Sequence, residues 1–374
     1  MYKAIKVSSV KITKLEAIPF RVPMRETVKF ATGQLSALEH VLVRVYTDEG
    51  LIGQSEAPSR PMVYGESSIS IVAAVRDWFA PALAGLDPFA TEQAWARLER
   101  VEHNPTAKAA IDMALHDIIG QAAGVPLYRL LGGWSNEVEL SHILGLGTPQ
   151  QVAEQAQRLV AQYGFGTLKL KAGVDPVRDT AMVRAVREAV GPTIRLHIDV
   201  NHGYSSFVAA RVVPQWEPYD IAWVEEPCPG WDVRGRELVA AATTIPLMAD
   251  ESCTTVATVM DEIRRGTCRL MSIKNARTGY TQSRKIIDLC EANGIVPVTG
   301  SQGDTEIGAY ASAHFHAAHR CTASGPGELS FFLDTEASLF TEPIQIRAGK
   351  FVLPETPGLG LRIDEGKLAH YRVP

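Results

Sequence analysis

Apolar and polar side chains alternate over residues 7–22 and again over 41–58, the period-two pattern of half-buried strands. Asp48-Glu49-Gly50 marks a hairpin turn inside the second stretch. The period then lengthens, and apolar positions recur at helical spacing over Ser68–Leu83, Thr91–His103 and Pro105–Ala123. The last helix is bounded by Asn104 as a candidate cap, Pro105 in its first turn and Gly124-Val125-Pro126 as its stop. Strands followed by helices in one block predict an α+β unit over residues 1–133.

From about Val138 short apolar runs alternate with amphipathic stretches such as QVAEQAQRLVAQYG and QSRKIIDLCEANG. The runs are ELSHILG, GTLKLKAG, RLHIDVN, IAWVEEP, PLMADES, RLMSIKN, IVPVTG and GPGELS. Lys171, Asp199, Glu225, Asp250, Lys274, Ser301 and Glu328, one at each strand end, follow one another at intervals of 24–28 residues. A strand, a helix and two loops need about that length, so residues 134–341 predict an α/β fold closed as a parallel barrel. An open doubly wound sheet is the competitor, but Gly164-Phe165-Gly166 precedes a strand, and Gly358-Leu359-Gly360 has no helix after it. Residues 342–374 lack the barrel period and are expected to return to the N-terminal unit.

Composition narrows the partners. Lys plus Arg number 37 and Asp plus Glu 42, a formal charge of −5 without a basic stripe, which disfavours nucleic acid. No apolar run reaches a membrane span, and lysines 3, 6, 11 and 14 interrupt any signal-peptide core. Five scattered cysteines without a CxxC pair argue against a disulfide framework or structural zinc. A cytoplasmic homo-oligomer acting on small molecules is expected, with no nucleic acid and no membrane as partner.

In a parallel barrel the strand ends converge on one mouth, so the strand-end residues carry the chemistry. Three consecutive strands end in Asp199, Glu225 and Asp250. Unpaired buried carboxylates cost several kcal/mol, and a hard divalent cation, Mg²⁺ or Mn²⁺, resolves that conflict. One such acid is commonly a solvated loop residue; three in series are not. Lys169 and Lys171 share a strand face, and two ammonium groups so close predict that one pKa falls, as a proton-transferring lysine needs. Lys274 would project across the same mouth with Glu251 as its partner. A cation flanked by opposed lysines suits a reaction in which a substrate carboxylate is bound, its enolate stabilised and its α-proton moved by a lysine.

At these residues KLK, DVN, EEP, ADES and IKNARTG, in that order and spacing, resemble the muconate-lactonizing subgroup of the enolase superfamily. The likeness runs through NPTAKAAIDMALHDIIGQAAGVPLYRLLGG and PGLGLRID, and so covers nearly the whole chain. EAPSRPMVYGES, SHILG, GELSFFLD and LAHYR are similar to actinobacterial, anti-adding muconate cycloisomerases. The resemblance implies a (β/α)7β TIM-like barrel under an N-terminal α+β capping domain completed by the C-terminal tail. It implies Asp199, Glu225 and Asp250 as Mg²⁺ or Mn²⁺ ligands, with Asn201 supporting that shell. Lys171 would be the acid, tuned by Lys169, and Lys274 the opposite-face group held by Glu251. Asp304 stands where the family usually has a glutamate, three residues before Ile307-Gly308, beside Ser301; Glu328 matches the eighth-strand acid.

The reaction so implied is the reversible lactonization of cis,cis-muconate, a small dicarboxylate, to muconolactone, a step in aromatic breakdown in which a metal-stabilised enolate is protonated by Lys171. Lid loops at 31–35 and 60–64 would close the mouth, with Arg60 and Tyr64 gripping the distal carboxylate. Three lysines and a divalent cation against three acids leave two positive charges for that dianion. Rivals on the same scaffold are N-acylamino-acid racemase, dipeptide epimerase and o-succinylbenzoate synthase; epimerases of the subgroup typically carry Asp-x-Asp where this chain reads Gly327-Glu328-Leu329-Ser330. More distant is a Schiff-base lysine aldolase, which leaves the three acids unexplained, and weaker still a non-catalytic barrel. His314, His316 and His319 do not share a helix face and are read as core residues. His197 is read as a barrel-interior residue and Cys228 as a structural thiol.

Overall fold

The computed structural model describes residues 10–373. Strands β1 (Ile12–Phe30), β2 (Gly33–Thr47) and β3 (Ile52–Pro58) form an antiparallel sheet in that order. The turn at Asp48–Gly50 joins β2 to β3, as the alternation indicates; residues 7–9 of the first expected strand lie outside the described residues. β1 continues to Phe30, because it pairs with β2 up to Phe30↔Gly33 around an irregularity between Pro23 and Val28. Pro19 and Pro23 are tolerated because β1 is an edge strand. The result is a long hairpin whose tip is residues 31–32.

One sheet face packs on helices. Val41, Val43, Val45 and Ala57 meet Ile71, Phe79, Leu83, Leu98 and Ile111 in a buried cluster. The expected helix Ser68–Leu83 carries a widened π turn at Val75–Phe79, and the next helix stops at Leu98. Asn104 does not cap the helix Pro105–Ala123: its backbone is left-handed, at φ 54°, and its amide donates to Glu102 O. The Glu66 carboxylate takes the helix-start N–H groups instead, at 2.8 Å from Thr106 and 3.4 Å from Ala107. A carboxylate on the positive end of the helix serves the same need from elsewhere in the chain.

After β4 (Glu137–Glu139) come seven parallel barrel strands: β5 (Ser141–Leu144), β6 (Thr167–Lys171), β7 (Arg195–Asp199), β8 (Ile221–Glu225), β9 (Leu247–Ala249), β10 (Leu270–Ile273) and β11 (Val296–Thr299). Residues 325–330 form no regular strand. They still close the ring: Gly327 bonds Glu139 O and Ser141 N on one side, and Glu328 N bonds Thr299 O on the other, all at 2.8–2.9 Å. The architecture is a (β/α)7β TIM-like barrel beside an α+β capping unit. β12 (Lys350–Val352) pairs antiparallel with β4. Beyond it Leu368 packs on Ile18, Phe20, Val22 and Leu42 of the cap sheet, and Val373 N bonds Pro19 O at 3.0 Å. The tail therefore touches both units. No helix among the described residues is long and apolar enough to cross a membrane.

Candidate active site

β6, β7 and β8 lie side by side with Lys171↔Asp199↔Glu225 in register, which brings three polar strand ends into one row. Asp250 follows β9 and Lys274 follows β10, extending the row round the mouth. Lys171 Nζ donates to Asp199 Oδ2 at 2.6 Å and to Asn201 Oδ1 at 2.9 Å. Lys274 donates to Asp250 Oδ2, while Arg277 Nη1 donates to Asp250 Oδ1 at 2.8 Å. Lys169 lies deeper, 2.6 Å from Glu225, 2.8 Å from Glu328 and 3.1 Å from Asp199.

These surroundings set the charges. Burial alone would lower the Lys169 pKa, but Asp199, Glu225 and Glu328 together raise it well above the ordinary lysine value. The like-charge argument therefore fails for Lys169: its neighbours are mainly acids, and it is a fixed cation. Burial opposes ionisation of Asp199, yet Lys169 and Lys171 hold its carboxyl below the usual range. Lys274 and Arg277 do the same for Asp250. Glu225 goes the other way, raised first by burial and then by Asp199. Burial, then the charges of Asp250 and Asp199, push Glu251 up to about 8.

Glu251 does not bond Lys274. It accepts Asn201 Nδ2 at 3.0 Å, because Lys274 is already taken by Asp250. Ser301 donates to Asp304 Oδ2 at 2.7 Å, folding the loop after β11. Arg60 and Tyr64 are not free grips. The Arg60 guanidinium is spent on the carbonyls of Ser59, Gln302 and Gly303, which staples the cap to the β11 loop. The Tyr64 hydroxyl meets Gln302 and Arg277.

A cavity of about 290 Å³ lies over the row. Lys171, Asn201, Asp250, Glu251, Lys274 and Ser301 line it, and Arg60 forms part of its wall. Lys169, Asp199, Glu225, Asp304, Glu328 and Tyr64 are not among its lining residues. Phe30 and Leu35 from the β1–β2 hairpin tip, Met62, Ile143 and Phe331 supply apolar walls. Phe30 sets its ring 5.6 Å from Lys171 Nζ, a cation–π distance. A larger cleft of about 580 Å³ lies at the tail, away from the strand ends.

The family model for "Mandelate racemase / muconate lactonizing enzyme, N-terminal domain" matches residues 13–132, and that for "Enolase C-terminal domain-like" matches residues 151–367. The chain belongs to the enolase superfamily. Among superfamily relatives, hydrophobic dipeptide epimerase of Enterococcus faecalis is 32% identical over 94% of this chain and 99% of its own. Muconate cycloisomerase 1 of Rhodococcus opacus is also 32% identical, over 96% and 97%. A crystal structure of muconate lactonizing enzyme from Mycobacterium smegmatis, complexed with muconolactone, superposes with TM-score 0.95 at 43% identity, covering 97% of this chain and all of that one.

Superfamily members act on small molecules with a divalent cation, and the donor set here suits one. Both Glu225 oxygens are buried without an aligned hydrogen-bond donor, Lys169 being only an ion-pair neighbour. The tightest donor cluster among the described residues is nevertheless His197, Glu225 and Glu328, within 4.8 Å of one another. The Lys169 ammonium occupies the deep side, between Glu225, Glu328 and Asp199, so a divalent cation would sit on the outer side, where Asp199, Glu225 and Asp250 end their strands. Asp250 is not drawn into that cluster, since Lys274 and Arg277 hold it.

The remaining candidates are structural. His197 bonds Ser141 Oγ at 3.2 Å and lies on Trp223, ring centroids 4.3 Å apart. His314 receives Tyr128 N and meets Leu359 O, His316 meets Thr299 Oγ1 and His319 meets Phe315 O. Burial pushes the Cys228 thiol up to about 11. Sequence reasoning left two site residues unassigned: Arg277, within the quoted IKNARTG, and Glu226, the second acid of WVEEP.

Proposed function

We propose that this superfamily member is a muconate cycloisomerase. The observation that carries the reading is the eighth barrel segment. Its one acid, Glu328, is turned onto Lys169, and Ser330 bonds Ser141 O and His142. That segment offers the cavity no carboxylate to hold a substrate ammonium, whereas Lys171 and Lys274 both face the cavity. Glu328 and Arg277 cancel and Glu251, pushed up to about 8, is mostly neutral at pH 7, so with a divalent cation bound the site would keep the excess of two positive charges that suits a dicarboxylate. The 43% identity with the muconolactone-bound relative points the same way.

Asp199, Glu225 and Asp250 would hold Mg²⁺ or Mn²⁺, which supplies positive charge to the substrate's proximal carboxylate and to the enolate developing there. The distal carboxylate adds an oxygen to the conjugated double bond. Lys171 Nζ then gives its proton to the carbon next to the proximal carboxylate, and the product is muconolactone. Asn201 and Asp199 hold that ammonium in place, and Phe30 covers it from the lid. Lys274 stands over the opposite face and adds charge to the enolate. The apolar walls from Ile143, Phe331 and Leu35 exclude water while charge develops. In this reading residues 1–133 and 342–374 form the cap and residues 134–341 the catalytic barrel.

Racemisation is the second reading, favoured by lysines belonging to separate strands on either side of the cavity, as a two-base exchange needs. A Schiff-base aldolase is disfavoured, because Asp250 outweighs the effect of burial and keeps the Lys274 pKa raised. The test follows muconate absorbance with purified protein and Mn²⁺, with and without chelator. Solvent deuterium is offered in parallel with N-succinyl amino acids and dipeptides. α-Deuterium exchange there, without muconate turnover, replaces this reading by the racemase or epimerase one.

A further inference from the structure

Glu226 lies one residue past β8 with φ 40°, a left-handed backbone costly for any residue with a Cβ. Such strain persists only where the surroundings over-determine it, and here they do. Glu226 N bonds Met248 O at 3.0 Å, and Glu226 O accepts His202 N at 2.8 Å. The side chain is completely buried. Its Oε1 accepts three donors from one turn: Asp250 N at 2.6 Å, Ser252 N at 3.0 Å and Ser252 Oγ at 2.6 Å. Its Oε2 accepts Arg236 Nη1 at 2.6 Å, and Arg236, itself buried, reaches Cys268 Sγ at 3.1 Å and Glu262 at 3.5 Å.

A structural ion pair would need only the Arg236 contact. The other oxygen goes entirely to the Asp250–Ser252 turn, and the residue before Glu226 is Glu225. Gly230 fits the same purpose, for a Cβ there would lie 2.6 Å from Ser252 Cβ. Glu226 thus fixes Glu225 through the chain and Asp250 through hydrogen bonds. The charge of Arg236 keeps a buried carboxylate available for four donors.

From this geometry we infer that Glu226, backed by Arg236, is a positioning residue that sets the spacing of Glu225 and Asp250 for a divalent cation. The inference rests on the reading of those two acids as cation ligands. The lysines on Asp199 and Asp250 bond carboxylate oxygens that a cation would share, whereas Glu226 grips the Asp250–Ser252 turn behind the site.

The experiment measures Mn²⁺ affinity by electron paramagnetic resonance at 25 °C, with folding checked by circular dichroism. It compares the parent protein, Glu226→Gln and Glu262→Gln. Glu262→Gln disturbs the same Arg236 without touching the Asp250 turn, and so reports loss of the ion network alone. Removing a partner that orients a ligand typically weakens metal binding by about 10–100-fold. Glu226→Gln is expected to show that loss while folded, and Glu262→Gln to stay near the parent. Equal affinity in parent and Glu226→Gln, or equal losses in both variants, overturns the inference. Should Glu226→Gln not fold, Ser252→Ala takes its place: weaker Mn²⁺ binding supports the inference and unchanged binding overturns it. A parent that binds no Mn²⁺ overturns the cation reading itself.

Discussion

Lys171 Nζ is 2.6 Å from Asp199 Oδ2, and this contact joins the proposed acid to a proposed cation ligand. The ammonium is aimed by the carboxylate and by Asn201 while one wall of the cavity leaves it open to substrate. Lys171→Ala should lower kcat for muconate by about 10²–10⁴-fold, the usual worth of a positioned acid, with little change in thermal stability. Stopped-assay absorbance and calorimetry together check it. Undiminished turnover removes Lys171 from the mechanism.

Chelation should abolish turnover, and Mn²⁺ or Mg²⁺ should restore it. A ligand bound only by the folded chain also stabilises it, by about 2.7 kcal/mol at a hundredfold excess over Kd. Tm should therefore rise with added Mn²⁺ in the parent and not in Asp199→Asn. Equal shifts in both would move the cation elsewhere.

Arg60 donates to three backbone carbonyls and bridges the cap to the loop after β11. Arg60→Ala leaves those carbonyls without their charged donor and should cost roughly 2–3 kcal/mol of stability. Urea unfolding reads it. A raised KM for muconate with unaltered stability would instead return Arg60 to the role of carboxylate grip.

Burial lowers both His314 and His316 to about 4, from an ordinary 6.5. The unfolded chain then binds more protons than the folded one in that window, so stability falls as pH drops from about 6.5 towards 4. Each histidine contributes a slope of about 1.4 kcal/mol per pH unit where it is protonated only when unfolded. Burial lowers His197 and His319 in the same sense, so urea midpoints at pH 4.5, 5.5 and 7 should show a combined slope, and His316→Gln should reduce it by about 1.4 kcal/mol per pH unit. An unchanged slope in that variant would show that His316 is not the titrating group.

How much of this was legible follows from where each constraint acts. The strand-end series Lys171, Asp199, Glu225, Asp250, Lys274, Ser301 and Glu328 was readable because a βα repeat imposes a fixed length, and the mouth of a parallel barrel collects strand ends. The hairpin tip at 31–32 was only a loop in the pattern, since prolines and charges break the alternation that β1 keeps through pairing. Asn104 looked like a cap from its type and place. Glu66, distant in sequence, took that function because any buried carboxylate within reach of free helix N–H groups will do so.

The chain's own pattern determined the fold class, the row of ionisable strand ends and the family resemblance, because periodicity and local spacing are properties of neighbours in sequence. Tertiary structure decided which charge meets which. Lys169 became a fixed cation because three acids from other strands surround it. Glu251 went to Asn201, Arg60 and Tyr64 went to the cap–barrel seam, and Glu226 took hold of the Asp250 turn. Hydrogen-bond partners depend on directions and distances set only when the barrel closes, and no spacing along the chain encodes them.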